Sequence, residues 1–360
     1  MTPTRQLQNL GQSLWLDNIT RTLLDDGTLE RYINECSVTG LTSNPTIFDG
    51  AIGSGEAYDA GIREKARRGL SGERVFLELA LEDLRRAADL FRPVFDATEH
   101  RDGWVSMEVS PLLAGDTQGS IAAARQIHAQ ADRSNLFVKI PGTPEGIPAI
   151  EESIFFGVPI NVTLLFSRDQ YLAVAEAYLR ATERRIAAGL DPRINSVASL
   201  FVSRWDVAIN DTVPAALRNT LGIAVARRTY RSYRELLSSP RWRVLADAGA
   251  QPQRLLWAST GTKDAAASDT LYVEALAAPD TIDTIPEKTL HAFADHGVLA
   301  GPMAQDGGDA EAMLARFMDV GVDVDALALR LQREGARSFV TSWQQLLQRI
   351  ADKSAALADP

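Results

Sequence analysis

The sequence predicts an α/β fold closed into a (β/α)8 barrel of the TIM type. Eight short apolar runs recur along the 360 residues, separated by longer stretches with helical spacing. The runs are apolar on both parities, as parallel strands are when helices cover one side and a packed interior fills the other. The rival arrangement, an open doubly wound sheet, lacks the phosphate-binding loop that would support it.

The strands are expected at 13–18 (SLWLDN), 38–48 (VTGLTSNPTIF), 104–111 (WVSMEVSP), 135–142 (NLFVKIPG), 159–167 (PINVTLLFS), 196–204 (SVASLFVSR) and 254–260 (RLLWAST), with a weaker one at 281–285. Between them, residues 71–91 place Phe76, Leu79, Ala80, Leu84, Ala87 and Phe91 at steps of three and four behind Ser71 as a cap. Ser167 and Gln170 form a capping box for a helix closing near Gly189, and 117–131 and 219–238 read as helices too. Residues 264–280 and 301–308 read as polar loops, and 311–355 as C-terminal helices. Gly53-x-Gly55-x-x-Tyr58 lacks the third glycine of a dinucleotide loop, and no GxxxxGK[ST] occurs. With no linker or repeat to divide the chain, one domain spanning 1–360 is expected.

Composition narrows the function. A net charge of −10, without a dense basic run, argues against nucleic acid and anionic membranes as partners. The four histidines form no ligand pair, and Cys36 is the sole cysteine, so neither a metal nor a cofactor is expected. Residues 1–10 lack a signal peptide's basic and apolar regions, and no apolar stretch is long enough to span a bilayer. The expected address is cytoplasmic. Monomer and homodimer stay open.

In such a barrel the reactive groups sit where strands end. Lys139, within Leu136-Phe137-Val138-Lys139-Ile140, is the first candidate. Desolvation there disfavours the ammonium, and a neutral amine is what attack on a carbonyl requires. Taken alone, a strand lysine is more simply a structural partner for a buried carboxylate. Asp17, which ends the first run, and Glu108, inside Val105-Ser106-Met107-Glu108-Val109, change that balance. A lysine with two acids is the set that imine chemistry needs, because protons must be removed and returned. Thr163 has the position to orient a water, although threonine is common in strands for packing alone. Arg204, after Ser199 and Ser203, and Lys263, after Ser259, Thr260 and Gly261, suit a phosphate, or equally a surface pairing with acids.

These residues fall in motifs that resemble the transaldolase family. WLDN (15–18), TSNPT (42–46), SMEVSP (106–111), FVKIPGTPEG (137–146), NVTLLFS (161–167) and SLFVSR (199–204) follow one another in the family's order from about residue 13 to 265. The remainder is similar to the C-terminal region of the longer transaldolases. The resemblance implies a Schiff base on Lys139, acid/base work at carbon–carbon cleavage by Asp17, and a catalytic water handled by Glu108 and Thr163. It implies sugar contacts from Asn44 and Ser199 and a phosphate contact from Arg204. The substrates implied are sugar phosphates of the non-oxidative pentose phosphate pathway. Two positions depart from the family pattern. Ser199-Leu200-Phe201-Val202-Ser203-Arg204 stands where many relatives have Ser-Pro-Phe-x-Gly-Arg, and Lys263 stands near where many have an arginine. A fructose 6-phosphate aldolase releasing free dihydroxyacetone, or a non-catalytic sugar-phosphate-binding barrel, are the alternatives. Related aldolases tend to carry tyrosine at the position of Phe201, which therefore points to transfer.

Overall fold

Each apolar run supplies one parallel strand, and the eight pair in chain order and close into a barrel in the computed structural model, which describes residues 1–357. They are β1 (Ser13–Asp17), β2 (Val38–Thr42), β3 (Trp104–Glu108), β4 (Leu136–Pro141), β5 (Ile160–Leu165), β6 (Ser196–Phe201), β7 (Arg254–Ala258) and β8 (Ile282–Ile285). Residues 358–360, the end of the expected 1–360 span, lie outside the described residues. Helices cover the outside, so both faces of nearly every strand are buried, which is why alternation is missing from the sequence.

Local chemistry decides several boundaries. The second run, expected as strand to residue 48, stops at Thr42. Asn44 is extended (φ −156°) and its side chain accepts the Ile47 N–H at 3.0 Å, so the helix Pro45–Gly53 starts there and takes in Gly50 and Gly53. Ser71 is not the cap expected. Gly72, at φ +54° and ψ −127°, precedes the helix Glu73–Ala97, a backbone conformation that glycine alone takes readily. The capping box is realised: Ser167 Oγ accepts the Gln170 N–H at 3.1 Å, and Gln170 Oε1 accepts the Ser167 N–H at 3.3 Å. That helix, Arg168–Ala187, ends before Gly189 at φ +69°. The expected loop 264–280 contains one short helix, Leu271–Ala275.

The barrel interior is plugged. Trp104 stacks on Phe137 with ring centroids 4.1 Å apart, and Trp15 lies against them. Gly40 faces this plug, where an added Cβ would come within 2.7 Å of the Trp15 ring. At the N-terminal end, Trp15 Nε1 donates to Asp102 at 2.7 Å, and Arg254 donates to Ser13 Oγ at 2.6 Å and to the Thr281 carbonyl at 2.8 Å. Burying each such aromatic contributes roughly 1.5–3 kcal/mol. Open space is left at the C-terminal ends of the strands. Over them lies the helix Val324–Ala356, tied down by Arg349 to Asp49 at 2.6 Å and Lys353 to Asp59 at 2.5 Å.

Asp283 in β8 is fully buried. Its Oδ1 accepts from Thr260 Oγ1 at 2.7 Å, while Oδ2 has no partner among the described residues. Burial pushes its carboxyl up to about 7. A carboxyl raised in this way holds its proton more tightly when folded, so stability is greatest below the unfolded value near 4 and declines as pH rises towards 7. Urea titrations should show Asp283→Asn gaining on the parent between pH 4 and pH 8, by up to about 4 kcal/mol. A difference independent of pH would contradict this.

Candidate active site

The strand register assembles the site. Inward positions alternate with outward ones, so Asp17, Thr42, Glu108, Lys139, Thr163, Ser199, Ala258 and Thr284 turn towards the axis at the C-terminal ends of their strands. Glu108 and Lys139 are register partners on β3 and β4. Lys139 is 6% exposed. Its Nζ lies 2.5 Å from Glu108 Oε1 and donates to the Ser43 carbonyl at 2.9 Å. The lysine is therefore held on two sides within the barrel mouth.

A cavity of about 310 Å³ opens there, walled by Asp17, Asn44, Lys139, Thr163, Ser199, Phe201, Arg204, Ser259 and Lys263. Thus nine of the ten residues singled out from the sequence line one mouth, and the tenth, Glu108, adjoins it through Lys139.

Electrostatics separates their characters. Burial raises the Asp17 carboxyl above its ordinary value, against Lys139, a hydrogen bond from Thr42 (2.8 Å) and the more distant Lys263 and Arg204. Burial also raises Glu108, with Lys139 pulling it down and Asp17 pushing it up. Both acids are thereby set to hold and release protons above the usual carboxylate range. Thr42 Oγ1 also meets Thr284 Oγ1 at 2.7 Å, linking β1, β2 and β8 beside Asp17.

Two backbone irregularities shape the wall. Leu164 takes φ +60° directly after Thr163, where the β5–β6 register shifts. Thr163 Oγ1 is buried with no partner among the described residues, so it is free to hold a water. Ser259 takes φ +57° at the end of β7. Its carbonyl accepts the Ser203 N–H at 2.9 Å, and the two hydroxyls lie 2.9 Å apart. Ser199 donates to Asn161 Oδ1 at 2.7 Å, while Asn44 spends Oδ1 on its helix cap and keeps only its amide NH2 to donate.

The cations lie on the other side of the cavity from the plugged floor. Arg204 sits over Phe201 at 4.9 Å and Phe339 at 5.8 Å and has no carboxylate within ion-pair distance among the described residues. Burial lowers its guanidinium from the ordinary value, offset by Asp17 and Glu108. With Lys263 it brings two cationic side chains to the cavity wall.

Sequence reasoning missed Thr46, Ile47, Ser338 and Phe339, which also line the mouth. Thr46 closes the TSNPT segment and Ile47 follows it, so both were within reach of the strand-end rule. Ser338 and Phe339 lie on the roof helix Val324–Ala356, whose sequence does not say what its inner face packs against. Gln332 fastens that helix by donating to the Gly142 and Leu164 carbonyls, each at 3.0 Å. Gly335 allows close approach: a Cβ there would come 2.9 Å from the Leu164 side chain and 3.2 Å from Arg204 Nη1. Among the described residues no group of histidine, cysteine and acidic side chains could hold a metal, and no helix is long and apolar enough to cross a membrane.

Comparison with known proteins agrees over nearly the whole chain. A family model described as Transaldolase/Fructose-6-phosphate aldolase matches residues 14–350. A transaldolase of Thermobifida fusca is 45% identical over 363 aligned positions, covering 98% of this chain and 99% of the relative. A transaldolase of Parafrankia sp. is 44% identical, covering 99% of each, and one of Thiobacillus denitrificans is 44% identical, covering 97% of this chain and all of the relative.

Proposed function

The chain belongs to the transaldolase/fructose-6-phosphate aldolase family, and from that premise we propose that it transfers a dihydroxyacetone unit between sugar phosphates through an imine on Lys139. The carrying observation is a single one. Lys139 Nζ is buried in the wall of the mouth cavity, 2.5 Å from Glu108, with Asp17 and Thr163 in the same wall.

The cycle follows from those positions. Lys139 attacks the C2 ketone of sedoheptulose 7-phosphate or fructose 6-phosphate. The carbinolamine hydroxyl leaves as water with a proton from Glu108, beside Thr163. Asp17 takes the proton of the C4 hydroxyl, the C3–C4 bond breaks, and its electrons rest in the imine as an enamine. The aldose phosphate departs. Glyceraldehyde 3-phosphate or erythrose 4-phosphate then receives the three-carbon unit, and hydrolysis frees Lys139. The names of these relatives, and the roofed mouth that limits water at the enamine, support transfer over release of free dihydroxyacetone.

Borohydride added with fructose 6-phosphate should leave a reduced three-carbon adduct on the Lys139 peptide by mass spectrometry. No adduct, or dihydroxyacetone released as fast without acceptor as transfer proceeds with it, would overturn the proposal.

Arg204 and Lys263 are proposed to hold the substrate phosphate. Arg204→Ala should raise KM for phosphorylated donors by about 10–100-fold, the worth of a charge-assisted contact, with a smaller change in kcat. Lys263→Ala should raise it by roughly 3–10-fold, as a point charge without a fork. An unchanged KM removes that residue from the phosphate site.

A further inference from the structure

Glu108 lies in the wall of a second cavity of about 320 Å³, separate from the one that Lys139 lines. Its rim is exposed and carries Glu73, Arg74 and Gln126, from the helices Glu73–Ala97 and Thr117–Ala131. Its floor is buried and includes Ser110 and Trp343, the latter on the roof helix. Ser110 Oγ and Trp343 Nε1 are both buried without a hydrogen-bond partner among the described residues. Buried polar atoms left unpaired by protein take ordered water where there is room. One water needs only about 10–15 Å³ of such space, so this cavity has room for several.

We infer that the second cavity is a water port, in which water held by Ser110 and Trp343 joins Glu108 to bulk solvent while substrate fills the mouth. The inference rests on the roles proposed above for Lys139 and Glu108. When the carbinolamine C–O bond breaks, its electron pair leaves with the oxygen and the nitrogen lone pair forms the C=N bond. The departing hydroxide takes the Glu108 proton, which yields iminium, water and a Glu108 carboxylate. Hydrolysis reverses each step and consumes one water. Over a full cycle the water released equals the water consumed, so the molecule freed at dehydration is either kept beside Glu108 or exchanged with bulk while sugar phosphate occupies the wider opening. The rim near Glu73 and Gln126 provides a route that does not cross the substrate.

Oxygen exchange reads this traffic directly. In ¹⁸O-labelled water, a round of imine formation and hydrolysis places a labelled oxygen at C2 of fructose 6-phosphate only when the expelled water has exchanged with bulk. Ala123 is half-buried in the port wall, apart from the residues of the chemistry. Ala123→Phe, which narrows the port, should slow exchange about tenfold, less than the roughly 10²–10⁴-fold lost when a proton-transfer group itself is removed. Thermal stability, and the fructose 6-phosphate concentration giving half-maximal borohydride adduct, should match the parent protein. A folded variant that exchanges at the parent rate sinks the port. Should phenylalanine prevent folding, Ala123→Leu carries the same test with fewer added atoms. Parent protein that shows neither exchange nor adduct would instead refute the imine on Lys139, so the two failures are distinct.

Discussion

The Lys139→Met protein will fold and bind sugar phosphates but will turn none of them over, with a loss on the order of 10⁴-fold or more, as when other covalent nucleophiles are deleted. Methionine fills much of the lysine's volume but has no amine to attack a carbonyl. Its cost in stability stays moderate. Glu108 and Asp17 already sit above the ordinary carboxylate range because of burial, so removing the ammonium leads them to keep protons rather than bury bare charges. A coupled transfer assay, borohydride trapping and thermal unfolding together check this result. Residual transfer within about a hundredfold of the parent would mean that the chemistry does not pass through this amine.

Asp17→Asn will separate imine formation from bond cleavage. Lys139 and Glu108 remain, so the donor still condenses, but nothing takes the C4 hydroxyl proton. Turnover should drop by about 10²–10⁴-fold, the usual worth of a general base. Borohydride should then trap the whole six-carbon sugar phosphate on Lys139, where the parent protein carries mainly three carbons. The parent's pH dependence belongs to the same argument. Asp17 acts as a carboxylate, and burial raises its carboxyl, so activity will fall as pH decreases through a value above the ordinary figure of about 4. A three-carbon adduct in the variant, or an acid limb below that figure, would assign the base elsewhere.

The barrel was legible in the sequence because its cause is simple: strands buried on both faces need apolar residues at every position, and polar residues then stand out at their ends. Asp17, Glu108 and Lys139 were visible for that reason, as interruptions where burial demands apolar chemistry. Where two signals overlapped, the reading slipped. The polar junction Thr42-Ser43-Asn44 is short and the apolar Ile47 and Phe48 follow closely, so the expected strand ran on into the helix Pro45–Gly53. Ser71 offered cap chemistry, but the glycine after it took the turn. Ser338 and Phe339 could not be found at all. They lie almost 200 residues from Lys139, on a helix whose amphipathic pattern says that one face is buried but not against what.

The roof helix bears on how the site comes into being. A ribosome delivers Lys139 long before it delivers Gln332, Gly335 and Phe339, so no roof can close over the mouth basin until the end of the chain has emerged. Only when the final segment settles, fastened through Gln332 to the carbonyls of Gly142 and Leu164, does the basin become a chamber. Closure of the mouth is thus acquired late in synthesis.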